Sequence, residues 1–481
     1  MDRPTFRVII VGGSISGLTL AHCLTRVGIS HMVLEKRDEI APQEGASIGL
    51  WPNGSQVLQQ LGLYDDLDKF TEPLRKLHVS YPDGFFFSNA FPEKIHRRFG
   101  LPIAFLERQK LLQVLYERYP EKSNIILKKK VVEVRPLDHS VCVIAEDGSV
   151  YHGDLVVGAD GVHSRVRSEM WRLSDMNAPG MITLGERKSM TVEYACVFGI
   201  SSPVAGLQSG EHINSFLDGL TVLTFHGKDG RVFWFIIRKL DQKFIYPNIP
   251  RFSANDAADL CDRLGNVPIW KDICIRHIWR NKEIASMTAL EEGIFRTWCF
   301  DRIVLLGDSV HKMTPNNGQG ANSAIEDAAT LASLVNRLIC TEGVANPSAP
   351  QIDTLLQEYQ ALRYYRVGRV YKRSRFAVRF QTRNDLFKSL VGRYLLPYAS
   401  DRLADMVSGL VADGDIIDFL PPPKRIGSGW SQYSTGGHPD LLVSRPLLSL
   451  LLLGSFCVML STYLIAYSPH LVSCMPTFLN Q

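Results

Sequence analysis

Three short motifs in this 481-residue chain place glycines after apolar runs, and two of them also contain a carboxylate. The first is Gly12-Gly13-Ser14-Ile15-Ser16-Gly17, which precedes a stretch with helical spacing. In the dinucleotide fingerprint the first glycine makes a tight turn and the third lets helix and strand pack closely, and Gly12 and Gly17 fit these roles. Ser14 stands where a second glycine is usual, and its hydroxyl can bond a phosphate oxygen. Glu35 ends the next apolar run, where an acid can accept hydrogen bonds from ribose hydroxyls.

The other two motifs lie far away in sequence. Asp160-Gly161 follows an apolar run at 155–158, and Gly307-Asp308 follows another at 302–306. The second of these leads into a helical stretch that begins near Gly320 and Ala321. Asp308 can hold a ribityl or ribose hydroxyl, and the free N–H groups at the start of the helix attract an anion. The three motifs therefore predict one dinucleotide site built from distant parts of the chain.

The hydrophobic pattern predicts the elements that position these motifs. Residues 6–11 form a predicted strand, residues 15–27 a helix and residues 31–35 a second strand, which together make a βαβ unit. Residues 155–158 and 302–307 are short apolar strands of the kind that a parallel sheet buries on both faces. Between about 191 and 238 the pattern changes to β-rich runs without helices. We therefore predict an α/β protein with a Rossmann-like domain and an inserted, mostly antiparallel sheet.

Composition excludes one class of partner and indicates a compartment. The formal net charge is +4, and the Lys and Arg residues are scattered rather than gathered with aromatics, so nucleic acid is not an expected partner. The nine cysteines form no CxxC pair and no metal-finger spacing. Such a dispersed set is typical of reduced, buried thiols on the reducing side of a membrane. No metal site is predicted.

The C-terminal part of the chain contains a candidate membrane anchor. Residues 447–467 include no charged side chain, and about 20 apolar residues are enough for a helix to cross the hydrocarbon core. Lys424, Arg425 and Arg445 precede this segment, whereas no Lys or Arg follows it. By the positive-inside bias the large N-terminal part is predicted to be cytosolic, with the endoplasmic reticulum as the expected membrane.

Taken together, the motifs resemble those of the group A flavoprotein monooxygenases, the para-hydroxybenzoate hydroxylase-like superfamily. The glycine fingerprint with its acid, the DG motif and the GD motif occur in the same order. Within that superfamily the chain is similar to the paxilline-type epoxidases of fungal meroterpenoid and indole-diterpene pathways. The stretches that carry this likeness are RVIIVGGSISGLTLAHCL, SIGLWPNG, EYACVFG, NNGQGANSAIEDAA and the C-terminal apolar segment.

The resemblance implies that FAD is the cofactor and that NADPH or NADH is the reductant. It implies FAD contacts at Glu35, Gly49, Arg108, Asp308 and Ala321. Arg108 has its own argument, because it follows a predicted strand at 103–106 and begins a helical run, where a guanidinium can pair with pyrophosphate oxygens. The motifs add further predicted cofactor-binding residues, namely Gly12, Ser14, Gly17, Asp160 and Gly320.

The predicted segments divide the chain as follows. They are a first part of the FAD-binding domain at 1–180, an inserted substrate-binding sheet at 181–285, a second part of the FAD-binding domain at 286–345, a helical C-terminal region at 346–410, a linker at 411–446 and a transmembrane helix at 447–467.

The resemblance also implies a reaction, the epoxidation with NAD(P)H and O2 of an olefin on an apolar, prenylated intermediate. A downstream terpene cyclase is a possible partner. Tyr194 is the candidate catalytic residue, and Arg231 or Arg238 is a further candidate for orienting the substrate. No catalytic triad or paired-carboxylate spacing stands out, and none is needed because a flavin carries the chemistry. Two alternatives stay open: an aromatic ring hydroxylase of the same superfamily, and a membrane flavoprotein without oxygen transfer.

Overall fold

The computed structural model describes residues 6–45 and 47–434, so the predicted anchor at 447–467 lies outside the described residues. The strands are β1 (Arg7–Val11), β2 (Ser30–Leu34), β3 (Ser47–Leu50), β4 (Lys76–Ser80), β5 (Phe86–Asn89), β6 (Ala104–Glu107), β7 (Ile125–Ile126), β8 (Val131–Pro136), β9 (Val141–Ala145), β10 (Val150–Gly153), β11 (Leu155–Gly158), β12 (Thr191–Ser201), β13 (Glu211–Leu217), β14 (Leu220–His226), β15 (Val232–Ile245), β16 (Pro268–Trp270), β17 (Ile273–Cys274), β18 (Lys282–Ile294), β19 (Cys299–Phe300), β20 (Ile303–Leu305) and β21 (His311–Lys312). The α-helices are α1 (Ile15–Arg26), α2 (Pro52–Gln60), α3 (Tyr64–Asp68), α4 (Phe91–Phe99), α5 (Arg108–Glu117), α6 (Arg165–Asn177), α7 (Leu184–Arg187), α8 (Ala254–Arg263), α9 (Ile275–Arg280), α10 (Gly320–Asn336), α11 (Ala349–Gln381), α12 (Leu386–Leu390), α13 (Ser400–Ala412) and α14 (Gly429–Gln432).

A six-stranded sheet carries all three motifs. Its order is β19-β20-β11-β1-β2-β7, and all neighbours are parallel except β19 and β20. β11 and β20 are apolar throughout and β1 is apolar after Arg7, because α1, which packs against α10, and α6 cover the sheet. The carboxyl ends of parallel strands lie at one edge of a sheet, which is where such folds bind ligands. The glycine loop, Glu35, Asp160 and Asp308 follow β1, β2, β11 and β20 at this edge.

The second large sheet has eight strands in the order β21-β18-β12-β15-β14-β13-β4-β5. Its neighbours are antiparallel except β13 and β4, which run parallel, so the sheet is mixed. The sheet extends beyond the predicted 181–285 segment, because β4 and β5 come from the first FAD-binding part of the chain. Those domain boundaries stay predictions.

The large sheet has two different apolar faces. One face packs against α8 and α9 through a cluster that includes Val222, Trp234 and Ile236. The opposite face packs with α4, β6 and α13 through a cluster rich in aromatic rings. This second face lies toward the part of the chain that carries the cofactor motifs, since β3 and β6 pair beside it.

Helices dominate the chain after residue 346, as predicted. α11 has 33 residues, and α13 packs against α4. Residues through Tyr433 form one compact unit, and the apolar core clusters consist of residues of this unit. Within residues 6–45 and 47–434, no helix combines the length and apolar character that a membrane crossing requires.

Candidate FAD and substrate site

The glycine loop after β1 is shaped by two close backbone approaches. Gly12 has φ of +109°, and a Cβ there would lie 2.4 Å from the carbonyl oxygen of Ala159. A Cβ on Gly17 would lie 2.0 Å from the carbonyl oxygen of Gly12. Any other residue at either position would push α1 away from β1 and β11. The two glycines thus perform the tight turn and the close helix approach that the sequence predicts.

Glu35 lies beside this loop, at the end of β2. Its side chain is buried, and Oε2 accepts a hydrogen bond of 2.7 Å from the backbone N–H of Gly13. Oε1 accepts a second one of 2.9 Å from the backbone N–H of Arg37. A carboxylate has about four acceptor positions, so these two bonds fix its orientation and leave acceptors for a ligand hydroxyl.

Arg108 is the first residue of α5 and reaches the glycine loop from another part of the chain. One terminal nitrogen donates to Oγ of Ser14 at 3.0 Å, and the other lies 3.1 Å from Oε2 of Glu44. Burial lowers the pKa of the guanidinium, which remains charged at any physiological pH. The structure therefore brings Arg108 and Ser14 together, and the remaining N–H donors of Arg108 are available to an anion.

Asp160 uses its carboxylate to cap α6. Oδ1 accepts from the hydroxyl of Ser164 at 2.5 Å, and Oδ2 accepts from the backbone N–H groups of Arg165 and Val166 at 2.7 and 3.1 Å. Burial raises the pKa of Asp160, and these hydrogen bonds oppose the rise. Its observed contacts position the loop after β11, and direct contact with a cofactor stays a prediction for this residue.

Asp308 follows Gly307 in a short 3₁₀ turn after β20. Gly307 has φ of +55°, and its N–H donates to Oδ2 of Asp327 at 2.9 Å. The carboxylate of Asp308 is 37% exposed and pairs with the ammonium of Lys312. Asp308 also lies close enough to Arg108 to influence the pKa of its guanidinium. Two residues that are 200 positions apart in sequence thus converge at one edge of the sheet.

The start of α10 is open. Gln319 precedes the helix without capping it through its side chain, and a Cβ on Gly320 would meet no atom within 4 Å. The N–H groups of the first turn, including those of Gly320 and Ala321, have no acceptor within the helix, and the positive end of the helix dipole lies at this point. This arrangement suits an anionic or electron-rich ligand group.

Gly49 and Trp51 line the approach to this helix start. Asn322 holds both, because its amide nitrogen donates to the Gly49 carbonyl at 2.8 Å and its oxygen accepts from the Trp51 N–H at 3.0 Å. A Cβ on Gly49 would lie 2.8 Å from the ring of Phe105. The indole Nε1 of Trp51 is buried and has no hydrogen-bond partner among the described residues. A buried donor without a partner indicates a ligand acceptor at this position.

Tyr194 lies on the aromatic face of the large sheet. It is fully buried, and burial raises the pKa of its phenol. The hydroxyl is close to Thr382 but makes no well-aligned hydrogen bond to any described residue. The guanidinium of Arg379 lies 5.5 Å from the ring centroid. The same face carries other apolar side chains, among them Cys196, Phe198, Phe225, Phe233, Phe235 and Ile237.

Arg231 and Arg238 are both placed away from the centre of this face. Arg231 pairs with Glu283 and with Glu107, 3.2 Å away. Arg238 is exposed on β15. Neither has the unpartnered, buried geometry of Tyr194, so their role in orienting a substrate stays a prediction.

Comparisons with known proteins identify the family. Residues 5–183 and 268–373, more than half of the chain, match the family model described as FAD binding domain. The FAD-dependent monooxygenase nvfK of Aspergillus novofumigatus is 60% identical over 431 residues, covering 89% of this chain and 92% of that protein. The FAD-dependent monooxygenase penE of Penicillium thymicola is 61% identical over 434 residues, covering 90% and 91%. The chain belongs to the FAD-dependent monooxygenases.

Solved structures share the fold of this monooxygenase. HpxO of Klebsiella pneumoniae in complex with FAD and uric acid has a TM-score of 0.68 at 23% identity, covering 85% of this chain and 97% of that chain. CtdE in complex with FAD and a substrate has a TM-score of 0.62 at 20% identity, covering 79% and 90%. At these identities the likeness concerns the fold alone. The family model and the relatives at 60% and 61% identity confirm the resemblance inferred from the three motifs.

The residues at the sheet edge fit FAD. The open start of α10 and the unpartnered indole nitrogen of Trp51 both indicate that a ligand completes the site. By their chemistry, Glu35 would hold the adenosine ribose, Arg108 the pyrophosphate and Asp308 a hydroxyl of the ribityl chain. The N–H groups at the start of α10 would face the polar end of the flavin ring.

A buried ionic network behind the FAD site was missed by sequence reasoning. Arg363 of α11 contacts Glu326 at 2.8 Å and Asp327 at 2.7 Å, and it also pairs with Asp415. Arg366 pairs with Glu326 at 2.5 Å. One signal was available in the sequence. The α10 segment contains two acids, Glu326 and Asp327, and no other charged residue, and α11 contains Arg363 and Arg366, which are spaced three apart. Because buried charges require partners of opposite charge, this pattern favours packing of α10 against α11 at these residues.

Proposed function

We propose that this monooxygenase uses NADPH or NADH and O2 to epoxidise an olefin on a prenylated intermediate, a farnesyl or geranylgeranyl compound of fungal meroterpenoid or indole-diterpene biosynthesis. The observation that carries the proposal is the aromatic face around Tyr194. An apolar face with one unpartnered phenol suits a long hydrocarbon substrate that needs few polar contacts. Fungal FAD-dependent monooxygenases that are 60%, 61% and 56% identical to this chain support the assignment of a monooxygenase reaction.

Bound FAD, once reduced, supplies the oxygen-transfer chemistry. The residues of the chain position the substrate and keep the site dry. Phe225 stacks on Phe105 with ring centroids 3.7 Å apart, which closes the sheet face toward β6. Tyr194 stays protonated because burial raises its pKa, so it acts as a hydrogen-bond donor to the substrate. Exclusion of water protects the oxygen-transfer step from unproductive hydrolysis.

The function is tested with microsomes that contain the protein. They are incubated with NADPH or NADH and a panel of farnesylated and geranylgeranylated aromatic compounds, and products are analysed by mass spectrometry under ¹⁸O2. The expected product gains one ¹⁸O atom on the prenyl chain and yields a diol after mild acid. Addition of the oxygen to the aromatic ring would instead identify a ring hydroxylase. Consumption of NADPH and O2 without an oxygenated product would identify a flavoprotein without oxygen transfer.

Matched variants make this test specific. Asp308→Ala is expected to lower product formation because it removes a proposed FAD contact, whereas Asp413→Asn, a change away from the sheet edge, is expected to leave product formation unchanged. Product formed at an equal rate by Asp308→Ala would contradict the proposed cofactor placement.

We further propose that residues 447–467 anchor the enzyme in the endoplasmic reticulum membrane, with residues 6–434 in the cytosol. This placement would give a cytosolic or membrane-bound terpene cyclase direct access to the product. Deletion of the residues after Ser444 is expected to convert an integral protein into one that a high-salt wash removes from microsomes. Retention of the truncated chain after carbonate extraction would contradict the proposal.

A further inference from the structure

The segment between α11 and α13 exposes an unusual number of large apolar side chains. α12, a π turn at Val391–Leu395 and a 3₁₀ turn at Leu396–Tyr398 follow one another, and we call residues 386–398 the strap. Five of its side chains are exposed: Leu386 (75%), Phe387 (55%), Tyr394 (59%), Leu395 (38%) and Tyr398 (89%). Isolated exposed apolar residues are normal, but a contiguous group marks an interaction surface.

The opposite face of the strap is firmly packed. Val391 and Leu396 contact a buried cluster that includes Tyr81, Phe216 and Phe380. Gly392 is buried so tightly that a Cβ there would lie 3.1 Å from the Tyr81 hydroxyl oxygen. The outward side chains are therefore presented by an ordered element and not by a fraying end. Phe376 of α11, which stacks on Phe380 and is 57% exposed, enlarges the surface.

Basic residues precede and follow these apolar side chains in the sequence. Residues 372–402 contain eight Lys and Arg residues but only two acids, Asp385 and Asp401. The two acids pair with Lys388 and Lys94. Four of the arginines pair with acids from other parts of the chain: Arg375 and Arg379 with Glu193, Arg383 with Asp218 and Arg393 with Asp83. Lys372 and Arg402 are exposed and form no ion pair with another described residue, and they are the basic rim of the surface. An apolar surface with aromatic side chains and a basic rim is typical of elements that lie in the interface of an anionic membrane.

We propose that the strap binds the surface of an anionic lipid bilayer, with Leu386, Phe387, Tyr394, Leu395 and Tyr398 inserted among the headgroups. Two other occupants fit the charge less well. A second copy of the chain would place the same basic rim against itself. The chain's own residues 435–481 contain a single acid, Asp440, and cannot neutralise the rim. An anionic headgroup layer supplies negative charge and apolar depth together.

The position of the strap gives this binding a consequence for the substrate. On α11, Val378 packs in the same cluster as Tyr194, whereas Phe380 packs in the cluster under the strap. The membrane-binding surface and the aromatic sheet face therefore lie on two sides of one helix. A bilayer bound to the strap would therefore lie next to the helix that borders the proposed substrate face. This consequence for the substrate rests on the proposed function, whereas the membrane binding depends only on the strap.

The experiment uses a chain that ends at Ser434, which retains all of the core clusters described above and lacks the proposed anchor. Flotation with phosphatidylcholine vesicles is compared with flotation with vesicles that also contain phosphatidylserine at roughly 30%. We expect binding to the anionic vesicles that falls at least about tenfold in the variant Leu386→Ser/Tyr394→Ser/Tyr398→Ser. Lys372→Glu/Arg402→Glu should weaken binding about fivefold or more per reversed charge, and added salt should weaken it further.

The matched control replaces exposed apolar residues elsewhere. Met176, Met181 and Leu184 are 67%, 46% and 71% exposed, and their substitution by Ser should leave flotation unchanged. FAD content and circular dichroism verify that every variant is folded. Absence of binding by the folded parent chain, or equal loss in the control variant, would overturn the proposal. Concentration-dependent dimerisation that the strap variant abolishes, without flotation, would assign the surface to a second copy instead. Because this chain lacks the anchor, neither result depends on the fate of residues 447–467.

Discussion

Replacement of Asp327 by Asn would separate the role of the buried ionic network from that of the FAD contacts. The carboxylate is fully buried and accepts three hydrogen bonds: from Nε2 of His311 at 2.6 Å, from the N–H of Gly307 at 2.9 Å and from Nε of Arg363 at 2.7 Å. Burial by itself raises the pKa of Asp327, but its interactions with His311 and Arg363 outweigh this effect and lower the pKa to about 2. The network therefore holds Asp327 ionised.

The magnitude follows from two independent arguments. A carboxyl whose pKa falls from 3.8 to about 2 contributes about 2 kcal/mol to folding at neutral pH. Removing one partner of a buried ion pair costs about 3 to 5 kcal/mol, and the low end applies because Arg363 keeps Glu326 and Asp415. We therefore expect a loss of about 3 kcal/mol in the free energy of unfolding, a large fraction of a stability of roughly 5 to 15 kcal/mol.

The assay combines urea unfolding, followed by tryptophan fluorescence, with FAD titration followed by quenching of flavin fluorescence. Asp327→Asn should also weaken FAD binding about tenfold, because the N–H of Gly307 loses a charged acceptor beside Asp308. Asp415→Asn is the matched control: Asp415 pairs with the same Arg363 but is 35% exposed and makes no contact with Gly307. It should cost about 1 kcal/mol and leave the FAD affinity unchanged. An unchanged urea midpoint in Asp327→Asn would refute the assignment of charge and pairing in the network.

Three further predictions address the cofactor, the substrate and the pH dependence. Glu35→Gln and Asp308→Ala should each weaken FAD binding by about 1 to 3 kcal/mol, measured by flavin absorbance after purification; full FAD content in both would contradict the placement. Tyr194→Phe should keep the FAD content but lower the product formed per O2 consumed, with a rate loss of about tenfold to a hundredfold; unchanged coupling would leave Tyr194 a packing residue. Burial lowers the pKa of His212 to about 3, so the unfolded chain binds a proton there below pH 6.5 and the folded chain does not. The free energy of unfolding should therefore fall from pH 6.5 to pH 4, and His212→Asn should remove about 1.4 kcal/mol per pH unit of that slope; an unaltered slope would contradict the burial of a neutral ring.

The parallel sheet was predictable because its signals are local. β1, β2, β11 and β20 contain short apolar runs, and each is followed within a few residues by a glycine or an acid. The two-residue edge strands β7 and β19 were not predicted. β1, α1 and β2 lie within a residue or two of the predicted ranges. Which strands pair in the large sheet was harder to predict from the sequence. β4 joins β13 across more than 130 positions, and no local pattern distinguishes a strand that pairs nearby from one that pairs at such a distance.

The cofactor site was predictable to the same degree. Gly12, Glu35, Arg108 and Asp308 converge because each follows a strand that the pattern identifies. Asn322 was not predictable, since its role depends on hydrogen bonds to Gly49 and Trp51, more than 270 positions away. The capping role of Asp160 was also hidden, because its partners are backbone N–H groups whose orientation only the fold determines.

α11 connects the cofactor site, the aromatic face around Tyr194 and the strap. At about 1.5 Å per residue its 33 residues span about 50 Å, so one rigid element reaches all three. Arg363 fixes its first half to α10 and, through Asp327, to the loop that carries Asp308. Val378 and Phe380 contact the Tyr194 face and the strap cluster near its end. A force on the strap, such as binding to a bilayer, therefore acts on the aromatic face through two residues of the same helical turn, while the buried ion pairs hold the FAD end in place.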